Sequence, residues 1–314
     1  MNFNTKCGVG AVLKLIVRKA DTNEIVRETP EFHNLVLTTG LARMAVGNWV
    51  DRCVVGTGNS TPVASQVALD NFLASTTTTA AGVSDTGGIQ VTTAPYYWFG
   101  RRTWRFGVGT AVGNISEVGL GWGNTTLWNR ALIRDELGNP TTITVLSDEY
   151  LDVISEVRVF PSESESTINL KDKLGNVIST HSVKVMPYFK NIDGNVKWSA
   201  DKIGFGASSD FIRISSGAMP ISPTELPTSS NGGVGVSQSY NETTLTGRSV
   251  VTSSQYNFNH RTFFTCVKGV MTQNPQWVER VCGFKWEITP PIPKDNETIL
   301  TYEFTLSWSG YESS

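Results

Sequence analysis

Apolar and polar residues alternate along most of the chain, which is the pattern of strands that bury one face and expose the other. In residues 298–308, every second side chain is large and apolar. These side chains are Leu300, Tyr302, Phe304, Leu306 and Trp308. Similar alternation occurs at 103–108, 115–122 and 150–160, and the segments 12–17 and 261–267 are also predicted to be strands. The sequence therefore predicts an all-β fold, mainly antiparallel and β-sandwich-like, with one or two short helices.

Two segments have helical spacing instead. Leu41 and Met44 are three residues apart, and Thr39 is a residue type that favours a helix N-cap. We expect a helix from Thr39 to about Trp49. A second helical segment of one or two turns is expected at 67–73.

The chain also shows signs of two domains. With 314 residues it is long enough for two cores, and the polar run SESES at 162–166 suggests a boundary. We predict two tandem related β-domains, 1–162 and 163–314. VGTG at 55–58 and IGFG at 203–206 occupy corresponding places before a variable loop in each half. The second domain is therefore interpreted as a duplication of the first, which suits a structural role because one packing solution is reused.

Composition limits the partners. The 26 Lys and Arg residues are scattered and are outnumbered by 28 Asp and Glu, which gives a net charge of −2. Because nucleic-acid binders carry a basic footprint, we expect no nucleic-acid partner, and RRTWR at 101–105 is interpreted as a strand with Trp104 inward. No apolar run approaches the roughly 20 residues of a membrane span. The first six residues are polar, so we expect neither a signal peptide nor membrane insertion.

Cysteines and turn residues predict no metal and no cofactor. Cys7, Cys53, Cys266 and Cys282 are far apart and form no CxxC motif. They are interpreted as buried reduced thiols, although their even number permits disulfides. NIDGN at 191–195 weakly resembles a calcium loop, but it lacks the terminal Glu, and a hairpin turn is the favoured interpretation.

No catalytic motif is present: the sequence contains no P-loop, GxSxG or HExxH. Asp148, Glu149 and Asp152 form an acidic cluster. Such residues serve either as paired carboxylates, as in glycosidases, or as a charged strand edge that opposes aggregation. The strand edge is favoured, and the sequence predicts that the protein is not an enzyme.

One aromatic run is unusual. Tyr96, Tyr97, Trp98 and Phe99 follow one another after a Thr- and Pro-containing segment. In an exposed loop these rings would stack on sugars or contact a partner, whereas in a buried segment they would belong to the core or to a subunit interface. We identify the four residues as candidate contacts for a partner or a glycan, with both alternatives open.

Several segments, taken in order, resemble a known family. NLVLTTGL at 34–41 and VVGTGNSTP at 54–62 resemble a recurrent N-terminal block of bacteriophage tail and tail-fibre proteins. The segments that look like its continuation are SEVGLGW at 116–122, LWNRALI at 127–133, PTTITVL at 140–146 and PPIPK at 290–294. The family supplies no catalytic residues that can be assigned to this chain.

The resemblance implies a structural protein of the phage virion, from the tail, a fibre or the collar. Such a protein would be made in the cytoplasm of the bacterial host, assemble as a homo-oligomer and dock to other virion proteins. A second hypothesis is a tail-tip or fibre protein that binds a host receptor or surface glycan. A third is a polysaccharide depolymerase.

Overall fold

The computed structural model describes residues 1–189, 196–206, 211–228, 231–273 and 282–311. The chain is 57% strand and 2% helix, which confirms the all-β prediction. The described residues contain 25 strands and one short helix. The turn predicted at 191–195 lies outside the described residues.

Nine strands form the largest sheet. They are β1 (Asn2–Lys19), β2 (Ile25–Glu28), β3 (Phe32–His33), β7 (Thr86–Gln90), β8 (Tyr97–Phe106), β13 (Glu149–Pro161), β20 (Ser237–Asn241), β21 (Thr246–Ser253) and β25 (Leu300–Gly310). Their order is β20-β21-β25-β1-β13-β8-β7, and β2 and β3 pair with β1. Strand β1 is antiparallel to β13 and parallel to β25. The first and last strands of the chain are therefore neighbours in one sheet.

The other strands form four smaller sheets. The five-stranded sheet, in the order β4-β11-β10-β5-β6, contains β4 (Leu35–Val36), β5 (Arg52–Gly56), β6 (Phe72–Thr76), β10 (Glu117–Gly123) and β11 (Thr126–Leu132). The seven-stranded sheet contains β14 (Ser164–Lys171), β15 (Val177–Tyr188), β17 (Gly204–Phe205), β18 (Phe211–Ser215), β19 (Asn231–Gly235), β22 (His260–Lys268) and β24 (Gly283–Ile292). Two pairs complete the set: β9 (Gly113–Ile115) with β12 (Ile143–Val145), and β16 (Val196–Trp198) with β23 (Met271–Gln273).

The sheets pack face to face around aromatic side chains. Every second residue of β1 from Phe3 to Val17 is at most 3% exposed and forms the inner face of the large sheet. The ring of Phe3 lies 5.5 Å from that of Phe263 on β22. Trp286 on β24 donates its indole N–H to Thr5 Oγ1 at 3.1 Å. The seven-stranded sheet thus covers this part of β1, as expected of a β-sandwich.

One core cluster contains residues from both halves of the chain. Leu120 and Val153 belong to it together with Phe284 and Leu306. In the parallel pair, Cys7 of β1 lies opposite Trp308 of β25. The predicted boundary at 162 thus separates two halves that share a sheet and a core, and the duplication stays a hypothesis.

The four cysteines are buried, in agreement with the prediction, and Cys7 and Cys53 are free thiols. Burial raises the pKa of the Cys7 thiol to about 12, which keeps that thiol protonated at neutral pH. The predicted face of β25, with Tyr302 and Phe304 at its centre, is also buried.

One helix occurs where the sequence predicts it, but it is much shorter than expected, and the second predicted helix is not formed. The single helix, α1, covers only Thr38–Arg43, its N-cap is Leu37, and no side chain caps it. Gly40 lets the helix lie directly against strand β11, because a Cβ at this position would come within 2.3 Å of the Trp128 carbonyl oxygen. Tertiary packing rather than capping fixes α1. The segment at 67–73 is not helical, and β6 begins at Phe72.

The same turn occurs twice. In D-x-L-G-N at 135–139, Asp135 Oδ1 accepts the Leu137 and Asn139 amides at 2.9 and 2.8 Å. At 172–176, Asp172 Oδ1 accepts the amides of Leu174 and Asn176, both at 2.8 Å. These are Asx-type turns with glycine at a positive φ. The second turn joins β14 to β15 in an antiparallel hairpin.

A buried ion pair organises the N-terminal motif block. Glu117 on β10 and Arg130 on β11 are both fully buried, and Arg130 Nε lies 2.8 Å from Glu117 Oε2. The Glu117 carboxylate also accepts the backbone N–H groups of Gly58, Asp70 and Asn71 at 2.8–3.1 Å. One carboxylate thus holds both ends of the loop between β5 and β6.

Arg130 uses its remaining N–H groups on the same loop. Nη2 donates to Asp70 Oδ2 at 2.7 Å, and Nη1 donates to Gln66 Oε1 at 2.8 Å. A Cβ at Gly56 or Gly58 would approach Glu117 Oε1 to 2.6 or 2.5 Å. The VGTG sequence is therefore required by the close approach of a buried carboxylate.

Replacing Arg130 with Met should destabilise the protein by about 3–5 kcal/mol, because Glu117 would stay buried without its charged partner. Urea unfolding followed by tryptophan fluorescence measures this loss. Arg248→Met is the control, since the Arg248–Glu303 pair is solvent-exposed and should matter far less. Equal losses in the two variants would contradict the role of the buried pair.

His260 is a buried neutral histidine. Its Nε2 lies 3.0 Å from the Tyr256 carbonyl oxygen, which can only accept, so Nε2 carries the proton. Its Nδ1 then accepts the Tyr302 hydroxyl at 2.6 Å. Burial lowers the pKa of His260 from 6.5 to about 4, and the Tyr256 carbonyl offsets part of that effect.

This depressed pKa predicts a loss of stability in acid. Between pH 6.5 and about 4, the unfolded chain binds a proton at His260 that the folded protein does not bind, so stability falls as the pH falls. At 1.36 kcal/mol per pKa unit, the contribution is at most about 3 kcal/mol. Urea unfolding of the unaltered protein and of His260→Gln at pH 7 and 4.5 tests it. The variant should lose less stability on acidification, and parallel losses would refute the assignment.

Candidate functional site

Strand β1 changes partner along one of its edges. The parallel pairing with β25 ends where Gly310 lies opposite Val9. Pairing with β3 begins at Val12, opposite His33. The other edge of β1 is paired continuously with β13 from Cys7 to Lys19. The outer edge of β1 is therefore interrupted for two residues, Gly10 and Ala11.

Groups outside the strands complete this edge. The Ala11 amide donates to Asn34 Oδ1 at 2.6 Å, and the Tyr311 amide donates to the Val9 carbonyl at 2.8 Å. Tyr311 then lies over the outward face of Gly8, where a Cβ would approach its side chain to 3.1 Å. Its ring stacks on Phe160 with centroids 3.6 Å apart. Glycine in this strand makes room for a ring on the sheet surface.

A cavity lies at this interruption, and we call it the gap cavity. Its volume is about 190 Å³, and it is lined by Gly10, Ala11, His33, Asn34, Arg158, Phe160 and Tyr311. At about 30 Å³ per water molecule, it has room for roughly six waters. The cavity therefore combines strand backbone, stacked rings and polar side chains, which is the composition of a small-ligand site.

A larger groove, the Tyr96 groove, lies on the other side of the Phe160–Tyr311 stack. Its volume is about 550 Å³, and Phe160 and Tyr311 line both spaces. Tyr96 and three prolines, Pro95, Pro161 and Pro187, also line it. Rings and prolines give it rigid apolar walls.

The structure divides the predicted aromatic run. Trp98 is fully buried and packs edge-on against Phe189 at 5.8 Å. Tyr97 and Phe99 are half-buried on the opposite face of β8, and Tyr96 is 43% exposed in the Tyr96 groove. The alternation of a strand thus places Trp98 in the core and leaves the others accessible. Their role as glycan or partner contacts stays a prediction.

Tyr97 and Phe99 belong to a row of rings on the outward face of the large sheet. The centroid of Tyr97 lies 6.2 Å from Phe99 and 5.4 Å from Phe160, which stacks on Tyr311. The Arg158 guanidinium lies over the Tyr97 ring at 4.5 Å. Burial raises the pKa of Tyr97, so its hydroxyl stays neutral. This row leads directly to the gap cavity.

Charges on this face are paired. Arg158 Nε donates to Glu156 Oε1 at 2.7 Å, and Arg101 Nε donates to Glu156 Oε2 at 2.9 Å. Partial burial lowers the pKa of His33, and the Arg158 charge lowers it further. At neutral pH, Arg158 is therefore the cation of the gap cavity.

The acidic cluster is not a strand edge, and that interpretation was wrong. Strand β13 lies between β1 and β8. Asp152 is 5% exposed and receives Arg105 Nε and Nη2, both at 2.7 Å. Glu149 is buried against Arg27. A hydrogen bond from Lys19 lowers the pKa of Asp148. The carboxylates are thus bound by cations instead of facing a groove.

The sequence reasoning missed Asn34, Arg158, Phe160 and Tyr311 as members of a site. One signal was available: in CGVGAV at 7–12, alternate glycines leave one face of an apolar strand without side chains. The basic segment at 101–105 was interpreted correctly. Trp104 is buried, and Arg105 faces outward towards Asp152.

Two searches of the described residues were negative. No group of three or more His, Cys, Asp or Glu side chains is placed to hold a metal ion. No helix has the length and apolarity needed to cross a membrane.

Comparison of the chain with family models, with curated proteins and with solved structures finds no match.

Proposed function

We propose that the protein is a structural component of a phage virion, from the tail, a fibre or the collar, that acts by self-association and docking to other virion proteins. Support from the sequence is the ordered set of phage-like segments. In the structure, three of them, 54–62, 116–122 and 127–133, meet at the Glu117–Arg130 pair. The resemblance therefore involves a coherent packing unit instead of scattered matches.

The β14–β15 hairpin is the structural feature that supports the proposed docking to other virion proteins. At its tip, Leu174 is 87% exposed, and the adjacent Val177 and Ile178 are 54% and 63% exposed. Within the described residues, β14 pairs only with β15 and leaves an open edge. An exposed apolar cluster beside an unpaired strand edge is typical of a surface that another chain covers.

Quantitative mass spectrometry of purified phage particles tests this proposal. The protein should be present, and Leu174→Asp should reduce its amount in particles because a charge enters the apolar contact. Leu137→Asp is the matched control, since Leu137 is 86% exposed in the same type of turn. Absence of the unaltered protein from particles would overturn the virion proposal. Equal incorporation of both variants would overturn the role of the hairpin.

A second candidate function is binding of a host surface glycan. The observation that favours it is the exposed Tyr96 in a groove with aromatic and proline walls, next to a row of outward rings. Sugar rings pack their C–H faces on such surfaces and keep their hydroxyl groups in water. The depolymerase hypothesis lacks this support, because the carboxylates of β13 are paired with arginines.

Adsorption of phage carrying Tyr96→Ala tests the glycan-binding candidate. Adsorption to the host should fall at least tenfold, with particles still assembled, because Tyr96 is exposed and the core is unchanged. Phe72→Ala is the control, since Phe72 on β6 is also 43% exposed. Trp98 is unsuitable for replacement because it belongs to the core. Normal adsorption of the Tyr96 variant would exclude this candidate.

A further inference from the structure

The gap cavity presents hydrogen-bond donors that the protein itself does not use. Arg158 donates only through Nε, to Glu156, so its two terminal nitrogens have no partner within the described residues. Asn34 Oδ1 is occupied by the Ala11 amide, and its amide nitrogen is buried with no hydrogen-bond partner. Unpaired donors beside a cavity favour a ligand rich in acceptors.

The lining favours a single negative charge. Among the described residues that line the cavity, none is acidic, and Arg158 is the charged group. The two terminal nitrogens of a guanidinium match the two oxygens of a carboxylate. Glu156 accepts hydrogen bonds from both Arg158 and Arg101, and Glu31 is close enough to affect the pKa of His33, so the positive charge of the cavity is already largely balanced. A doubly charged phosphate would be repelled more strongly than a carboxylate.

The neighbouring rings favour a ligand with a ring of its own. Phe160 and Tyr311 line both the gap cavity and the Tyr96 groove, so the two spaces meet at these stacked rings. A chain of sugars can cross this stack, with one unit in the cavity and the next in the groove. Free amino acids or inorganic anions would use only the hydrogen-bond donors of Arg158 and Asn34 and would not use the two rings.

We propose that the gap cavity binds the carboxylate of an acidic sugar, a uronic acid unit of a longer glycan, through the terminal nitrogens of Arg158 and the Asn34 amide. This inference rests on the glycan-binding candidate above and names its ligand class. Phe160 and Tyr311 position the sugar ring. Arg158 is held in place by Glu156 and by the face of Tyr97.

NMR titration of the purified full chain with D-glucuronate, D-glucose and inorganic phosphate at pH 7 tests the proposal. Glucuronate should bind saturably and more tightly than either other probe. Arg158→Gln should weaken glucuronate binding roughly 10- to 100-fold, as expected for loss of charged hydrogen bonds. Arg158→Lys should recover only part of it, because an ammonium lacks the planar fork. Equal binding of glucose, or of phosphate, would overturn the proposal.

Two further variants separate the cavity from general effects on the fold. Gly10→Ala adds a Cβ that lies 3.6 Å or more from its nearest neighbours, so the protein should fold, while the cavity becomes smaller and glucuronate binds more weakly. Arg248→Gln removes an arginine whose ion pair with Glu303 lies outside the lining of the cavity, and it should leave binding unchanged. Unchanged glucuronate binding in Gly10→Ala would place the ligand elsewhere.

The outcome is distinguishable from failure of the glycan-binding candidate itself. If Tyr96→Ala abolishes adsorption while glucuronate does not bind, the Tyr96 groove binds a glycan and the acidic subsite is wrong. If adsorption is normal and glucuronate still binds at Arg158, the subsite is correct and its ligand is not the host receptor.

Discussion

The structure depends on strand β1, because this strand is paired on both edges and joins the two ends of the chain. Strand β13 covers one edge, and the last strand, β25, covers the other in parallel orientation. A parallel pairing between the first and last strands closes the longest loop that this chain offers, and closing a long loop costs conformational entropy. Burial of the inner face of β1, from Phe3 to Val17, must offset that cost. The same strand forms the interruption at Gly10 and Ala11, so the candidate site is a consequence of how the fold closes.

The Glu117–Arg130 pair organises a single loop, whereas β1 organises the whole large sheet. Burying both charges costs free energy, so the pair matters less for the stability of the fold than for specifying which groups meet at this place. The carboxylate accepts hydrogen bonds from backbone groups at both ends of the loop between β5 and β6, and only glycine fits at positions 56 and 58. An apolar pair of the same volume would fill the space but would leave those amides without an acceptor. This gives a physical reason for the presence of two glycines, a glutamate and an arginine in the motif block of this chain.

Periodicity predicted the strands well and the relations between them poorly. The buried face of β25 follows from a two-residue repeat alone, and the same rule separates Trp98 from its neighbours. The first helix ends well before Trp49 and the segment at 67–73 forms no helix, because helical spacing is a weak prior that strand packing overrides. The partners of β1, and hence the approach of Tyr311 to Phe160 and Arg158, result from contacts between distant residues, and no local pattern encodes them. The CGVGAV segment shows that a face is empty but not which ring covers it.

The proposed self-association and the proposed glycan site would reinforce each other in physical terms. The outward face of the large sheet pairs Arg158 and Arg101 with Glu156, and Arg105 with Asp152, and the chain carries a net charge of only −2. Such a surface offers little long-range attraction to an acidic glycan, so affinity must come from short-range contacts in a small cavity. A single site of that size binds weakly. Self-association through a separate surface, the β14–β15 hairpin, would place several cavities along one polysaccharide, and the resulting avidity would exceed the affinity of any one site without further contacts.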